Sequence, residues 1–181
     1  MKNTTLVSLP LVLTLATFGV AQDRPTGADL QYLVLATNRT GTMQRELDDA
    51  AKRRFRVVAG LPGSDELVLI LERLPQQAEP YSYRLLATQR TSTMERELNE
   101  AGRSGFRFVS IATIEKGDEI ISITERAPNT QERYEYRLLA TQRTSTLQNE
   151  LNDVARQGFT VKGTFTRDET MAVLERAVAL Q

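Results

Sequence analysis

The sequence predicts an α+β fold of three tandem βαββ repeats. Each repeat is a three-stranded, mainly antiparallel sheet in strand order 1-3-2 with one helix on one face. Three observations predict it. Tyr83–Thr93 reads YRLLATQRTST, Tyr136–Thr146 repeats all eleven residues, and Tyr32–Thr42 (YLVLATNRTGT) matches seven of them. The copies are spaced by 51 and 53 residues, the period of a duplicated supersecondary unit. After each opening come a helical stretch, a Phe (Phe55, Phe106, Phe159) and an apolar run closing in Glu72-Arg73, Glu125-Arg126 or Glu175-Arg176.

The N-terminal segment precedes the repeats. Lys2, an apolar run from Leu6 to Val20 and the small residues of Gly19-Val20-Ala21 form the pattern of a secretory signal peptide over residues 1–21. Residues 22–30 then read as a linker. The expected product is exported, periplasmic or extracellular, with no stable membrane anchor after cleavage; an uncleaved anchor is the alternative. The repeats occupy residues 31–74, 82–127 and 135–177, joined by Leu74–Tyr81 and Ala127–Tyr134 with their prolines and polar residues.

In the second copy, strand one is expected over Tyr83–Thr88, with Tyr83, Leu85 and Ala87 on one face. The helix follows at about Thr93–Ser104. Met43, Leu47, Ala50 and Ala51 in copy one form a stripe along one helical face, and copy three places Leu147, Leu151, Val154 and Ala155 there. Ser92 with Glu95, and Ser145 with Gln148, have capping-box spacing. Gly105 and Gly158 stand where a left-handed residue ends a helix, a position held by Arg54 in copy one.

Strands two and three read as a hairpin. Phe106, Phe108 and Ser110 alternate with Arg107, Val109 and Ile111, and a turn at Lys116-Gly117-Asp118 leads into Ile120–Thr124. The helical crossover makes strands one and two parallel, so a third strand between them makes every neighbour antiparallel. Its continuous apolar run, as in Leu67–Leu71, suits a central place.

A unit of about 45 residues without disulfides rarely folds alone. Leu86, Leu139, Val68, Ile70 and Ile120 are assigned to the face away from the helix and need cover. Sheet-to-sheet packing of the units within the chain is the first expectation. Homo-oligomer formation through an open sheet is the second.

Tyr134-Glu135-Tyr136-Arg137-Leu138-Leu139, then Glu150-Leu151-Asn152 and Gly158-Phe159 with a closing Glu-Arg, resemble the bacterial domain of unknown function 4177 family. That family opens Tyr-x-Tyr-Lys-Val-Val and ends its helix in Gly-Trp; Phe replaces the Trp in all three copies here. The resemblance spans roughly Gln31–Ala177 and implies a fold without an activity to transfer.

The composition excludes much catalytic apparatus. The 181 residues contain no His and no Cys, hence no Ser-His-Asp triad, thiol nucleophile or imidazole–thiolate zinc site. Lys+Arg and Asp+Glu are 23 each and interleaved, which does not suit a nucleic-acid coat. The best candidate site is Arg-Thr-x-Thr at each helix entrance: Arg39 and Thr40, Arg90 and Thr91, Arg143 and Thr144. Free N–H groups, an Arg and hydroxyls there suit a small anion, while turn formation and capping are the commoner use of such threonines. Asp65-Glu66, Asp118-Glu119 and Asp168-Glu169 mark the hairpin tips but form no calcium array. No metal and no cofactor are expected. The chain reads as a non-enzymatic interaction or ligand-binding module with an unknown protein or a small anionic ligand as partner. Binding in inter-repeat clefts and carboxylate-based catalysis are the alternatives.

Overall fold

The computed structural model describes residues 31–61, 65–76, 78–114, 119–166 and 168–179. The expected signal peptide, the linker after it and the turn at Lys116-Gly117-Asp118 lie outside them. The described chain runs β1 (Tyr32–Thr37), α1 (Thr40–Lys52), β2 (Phe55–Leu61), β3 (Leu67–Arg73), β4 (Ser82–Thr88), α2 (Thr91–Arg103), β5 (Arg107–Ile114), β6 (Glu119–Arg126), β7 (Arg133–Thr141), α3 (Thr144–Ala155), β8 (Thr160–Thr166) and β9 (Thr170–Val178). The sheets are ordered β1-β3-β2, β4-β6-β5 and β7-β9-β8, with every neighbour antiparallel. This is the expected 1-3-2 repeat. Among the described residues, no helix is long and apolar enough to cross a membrane.

Local chemistry sets the boundaries. Gly105 and Gly158 end α2 and α3 at φ of +81° and +88°, and Arg54 adopts φ +66° after α1. A left-handed stop is therefore geometrically required in all three copies, and copy one meets it with a strained non-glycine residue. The alternation expected through Phe106–Ile111 breaks at a β-bulge between Phe108 and Ser110. Matching bulges lie between Val57 and Ala59 and between Val161 and Gly163. The extra residue reverses the faces beyond it, so both Phe108 and Ile111 are buried.

The expectation of sheet-to-sheet packing is corrected. The molecule is layered sheet, helix, sheet, helix, sheet, helix. Met43, Leu47, Ala50 and Ala51 of α1 are buried between their own sheet (Phe55, Val57, Leu67, Leu69, Leu71) and the next one (Tyr83, Ala112, Ile121, Ile123). Likewise Met94 and Leu98 of α2 pack on Phe108, Ile111 and Ile120 from one side and on Tyr134, Tyr136, Met171 and Val173 from the other. A helix stripe that wide needs cover on two sides, and the far face of the following sheet supplies it. Sheets meet directly at strand two, where the Gly60 N–H donates to Ser110 Oγ at 2.9 Å. A Cβ on Gly60 would stand 2.7 Å from the Ile111 carbonyl oxygen, so the two strands approach at a spacing only glycine permits.

The face assignment is corrected for Leu86, Ile120 and Leu139, while Val68 and Ile70 do lie on the face away from α1. Leu86 and Ile120 join the cluster around α2, and Leu139 joins Leu151 and Val154 of α3, so these residues turn toward their own helix. Tyr83, Leu85, Ile121 and Ile123 face the preceding one. Period two separates the faces of a strand without saying which takes the helix. β6 is consequently covered on both faces, while β3 buries Leu67, Leu69 and Leu71 and leaves Val68 and Ile70 half-buried at the outer end of the stack.

Candidate functional site

Each helix entrance is built by the end of strand one. Thr37, Thr88 and Thr141 accept the N–H of Arg39, Arg90 and Arg143 at 3.4, 3.2 and 3.2 Å, which turns the chain out of the sheet. These arginines occupy the N-cap in extended backbone, with no side-chain cap, and Thr40, Thr91 and Thr144 begin the helices. The expected capping boxes do not form. Glu95 is drawn to the next repeat, where Oε2 accepts the Leu138 N–H at 2.8 Å and Oε1 pairs with Arg137 at 3.3 Å. An edge-strand N–H enclosed between layers needs a protein acceptor more than a helix end that water can reach.

The arginines do not converge. A cleft of about 580 Å³ is lined by Arg90, Thr91 and Ser92 together with Gln142, Asp168 and Glu169, and by neither Arg39 nor Arg143. It brings a helix entrance of one repeat to the hairpin tip of the next, joining two features that lie far apart in the sequence. Among the described residues, the guanidinium groups of Arg39, Arg90 and Arg143 have no ion pair. The two carboxylates across the cleft oppose a bound anion near Arg90. Among the described residues, no cluster of three or more acidic side chains is arranged to hold a metal.

The strongest polar constellations lie at the junctions between repeats. Arg56 of β2 forks onto Glu125 at the end of β6, with Nη2 2.6 Å from Oε1 and Nε 3.1 Å from Oε2. Tyr83 Oη donates to Glu125 Oε2 at 3.3 Å and accepts the Val57 N–H at 3.0 Å. The Arg56 guanidinium also lies 4.4 Å from the centre of the Tyr81 ring. The second junction repeats the design. Arg107 Nε donates to Glu175 Oε1 at 2.9 Å, Tyr136 Oη donates to Glu175 Oε2 at 3.0 Å, and the Phe108 N–H donates to Tyr136 Oη at 2.8 Å. Burial, foremost, and the adjacent carboxylate push both tyrosine hydroxyls well above their ordinary pKa.

Each closing arginine has a related use. Arg73, Arg126 and Arg176 lie over the rings of Phe55, Phe106 and Phe159 at 4.6, 5.0 and 4.6 Å. Repeats two and three thus engage both residues of the Glu-Arg ending. The Glu reaches back to the preceding repeat and the Arg caps its own Phe. In the sequence these endings read only as strand termini; the signal for more is the recurrence of Tyr and Glu at matched positions of all three copies.

Helices also clamp the following edge strand. Gln44 Nε2 donates to the Tyr83 carbonyl at 3.2 Å, and its Oε1 accepts the Leu85 N–H at 2.9 Å. Asn99 Nδ2 donates to the Tyr136 carbonyl and its Oδ1 accepts the Tyr136 N–H, both at 3.0 Å. Side-chain amides carry a donor and an acceptor together, which is what an unpaired strand edge requires.

Among the described residues, the two ends of the stack lack these partners. Tyr32 is 59% exposed where Tyr83 and Tyr136 are 6% and 1% exposed. Val34 beside it is 59% exposed, and at the other end Val161 is 50% exposed where Val57 and Phe108 are buried. α3 has no buried residue although it carries the same stripe as α1 and α2. Set against known protein families, curated proteins and solved structures, the chain matches none.

Proposed function

We propose that this chain is an exported, non-enzymatic interaction module, periplasmic or secreted, that works through the uncovered ends of its stack. The unequal cover of equivalent positions carries this reading. The first sheet and the last helix expose apolar surface that the same residues bury inside the chain. The buried carboxylates support it too, since Glu125 and Glu175 are committed to Arg and Tyr partners that hold repeats together. Kinship with the domain of unknown function 4177 family would add no activity to this reading.

The experiment is site-specific photo-crosslinking in the exporting cell, with the reactive side chain placed at Val34, at Ala155 or, as a control, at exposed Lys52. Adducts are expected from the two end positions and not from Lys52. Bare lanes at both ends would overturn the reading.

A second reading rests on the cleft at Arg90, Thr91, Asp168 and Glu169, whose mixed charge and size suit a small polar ligand. Titration with inorganic phosphate or small carboxylic acids, followed by NMR shifts of the Thr91 and Ser92 amides, tests it. Unmoved amides at saturating ligand remove this second reading.

A further inference from the structure

We propose that the chain associates with itself head to tail, the outer side of α3 in one copy docking on the open face of sheet β1-β3-β2 and on edge strand β1 of the next. The proposal rests on the interaction-module reading and names its partner as a second copy.

The same two surfaces are already mated twice within the chain, by α1 on sheet β4-β6-β5 and by α2 on sheet β7-β9-β8. The third helix retains the equipment. Gln148 occupies the place of Gln44 and Glu95, and Asn152 that of Asp48 and Asn99. Both side chains are exposed, and Gln148 Nε2 donates to Asn152 Oδ1 at 3.4 Å much as Gln44 Nε2 donates to Asp48 at 2.9 Å. On the receiving side, Tyr32 and Val34 occupy the places of Tyr83 and Leu85, whose backbone groups Gln44 clamps. Ala155 matches Ala51 of the first junction. At the second junction, Gly102 permits a closer approach, because a Cβ there would overlap the Tyr134 carbonyl. The helix side of the contact between copies therefore follows the geometry of α1 on β4.

The strand-two contacts depart. Thr160 stands where Arg56 and Arg107 pair with their glutamates, so Glu72 of the incoming copy meets no guanidinium. Thr164 takes the place of Gly60 and Ala59 that of Ser110, so the Gly60–Ser110 hydrogen bond has no counterpart and the two strands sit further apart. The junction between copies is weaker than those within the chain, and assembly is reversible. The contact is heterologous, so copies add at either end until the rotation between them closes a ring.

Sedimentation velocity across roughly a hundredfold range of concentration tests this, because association follows mass action. Val34, Ala155 and Thr160 are exposed, so V34R, A155R and T160R are expected to leave the fold intact, with circular dichroism as the check. The wild-type chain should gain mass with concentration, and V34R and A155R should each stay monomeric. Their equimolar mixture should form a one-to-one dimer that grows no further. T160R should tighten association roughly tenfold by pairing with Glu72 of the neighbour, and adding E72Q should abolish that gain. Undiminished association of A155R would mean a two-fold contact through the first sheet and overturn the proposal. So would association that appears only after residues 1–30 are removed, since that segment would then be the occupant. A chain of constant mass that crosslinks another protein from Val34 refutes self-assembly and leaves the interaction module standing. Constant mass with no crosslink from either end removes both.

Discussion

Replacing Tyr136 by Phe deletes one oxygen from a junction while preserving its shape. That oxygen accepts the Phe108 N–H at 2.8 Å and donates to Glu175 Oε2 at 3.0 Å. In the variant, a buried backbone donor loses its acceptor and a buried carboxylate loses one of its donors. Glu175 retains Arg107 at 2.9 Å and Lys162 at 3.6 Å, so the backbone donor takes the larger share of the loss. An unsatisfied buried group costs about 1–3 kcal/mol, and the two effects together come to about 2–3 kcal/mol. At roughly 2–4 °C per kcal/mol for a chain of this size, Tm should fall by about 5–10 °C. Y32F is the internal control, because the equivalent hydroxyl belongs to a tyrosine that is 59% exposed. Its Tm should stay within about 1 °C of wild type, as expected of an exposed site away from any such feature. Thermal denaturation followed by far-ultraviolet circular dichroism reads both variants. Equal losses in Y136F and Y32F would refute the reasoning, since repeat position alone would then explain the effect.

Further outcomes follow from the packing. G102A should destabilise the chain by about 2–4 kcal/mol in urea denaturation, because its Cβ would overlap the Tyr134 carbonyl and stand 3.0 Å from the Tyr136 ring. G41A, with open space around the added carbon, should stabilise α1 by about 0.5 kcal/mol, and a loss of stability there would contradict the described spacing. N99A should cost about 1–2 kcal/mol and speed exchange of the Tyr136 amide, while N152A should be near neutral in the monomer. Tyr83 and Tyr136 have folded pKa values raised above the unfolded one. Their contribution is therefore whole below about pH 10 and is lost as pH climbs toward the raised folded values. Ultraviolet titration should show these two hydroxyls ionising only together with unfolding; reversible ionisation of all five tyrosines near pH 10 in a folded chain would contradict it.

The repeat, its element order and its strand order are legible in the sequence because each follows from a local pattern. The Tyr-Arg-Leu-Leu-Ala-Thr opening, the stripe at Met43, Leu47, Ala50 and Ala51, and the run Leu67–Leu71 point to strand, helix and central strand without reference to one another. What lies between repeats was not legible. Leu86 and Leu85 are neighbours of the same type, and only the direction of the crossover decides that one faces α2 and the other α1. Glu95 has capping-box spacing from Ser92, yet a strand 43 residues away takes its carboxylate, because an enclosed N–H outbids an exposed one. The bulge at Val109 has no signature a strand pattern would reveal. The helix entrances were found, while the Arg56–Glu125–Tyr83 junction was not, since its members come from three strands of two repeats.

Stacking sheet on helix on sheet also orders the molecule in time. A layer opens only after one of its neighbours has moved, so β6, covered on both faces, should be the last strand to exchange its amides. Opening begins at the ends of the stack, and among the described residues α3, with no buried residue, is the less covered of the two. A protease that reaches α3 first meets a segment whose loss leaves α1 and its clasp at Arg56 and Glu125 untouched. Damage at the C-terminal end is thus confined to the layer where it occurs, and the order of the layers sets the order in which the chain wears out.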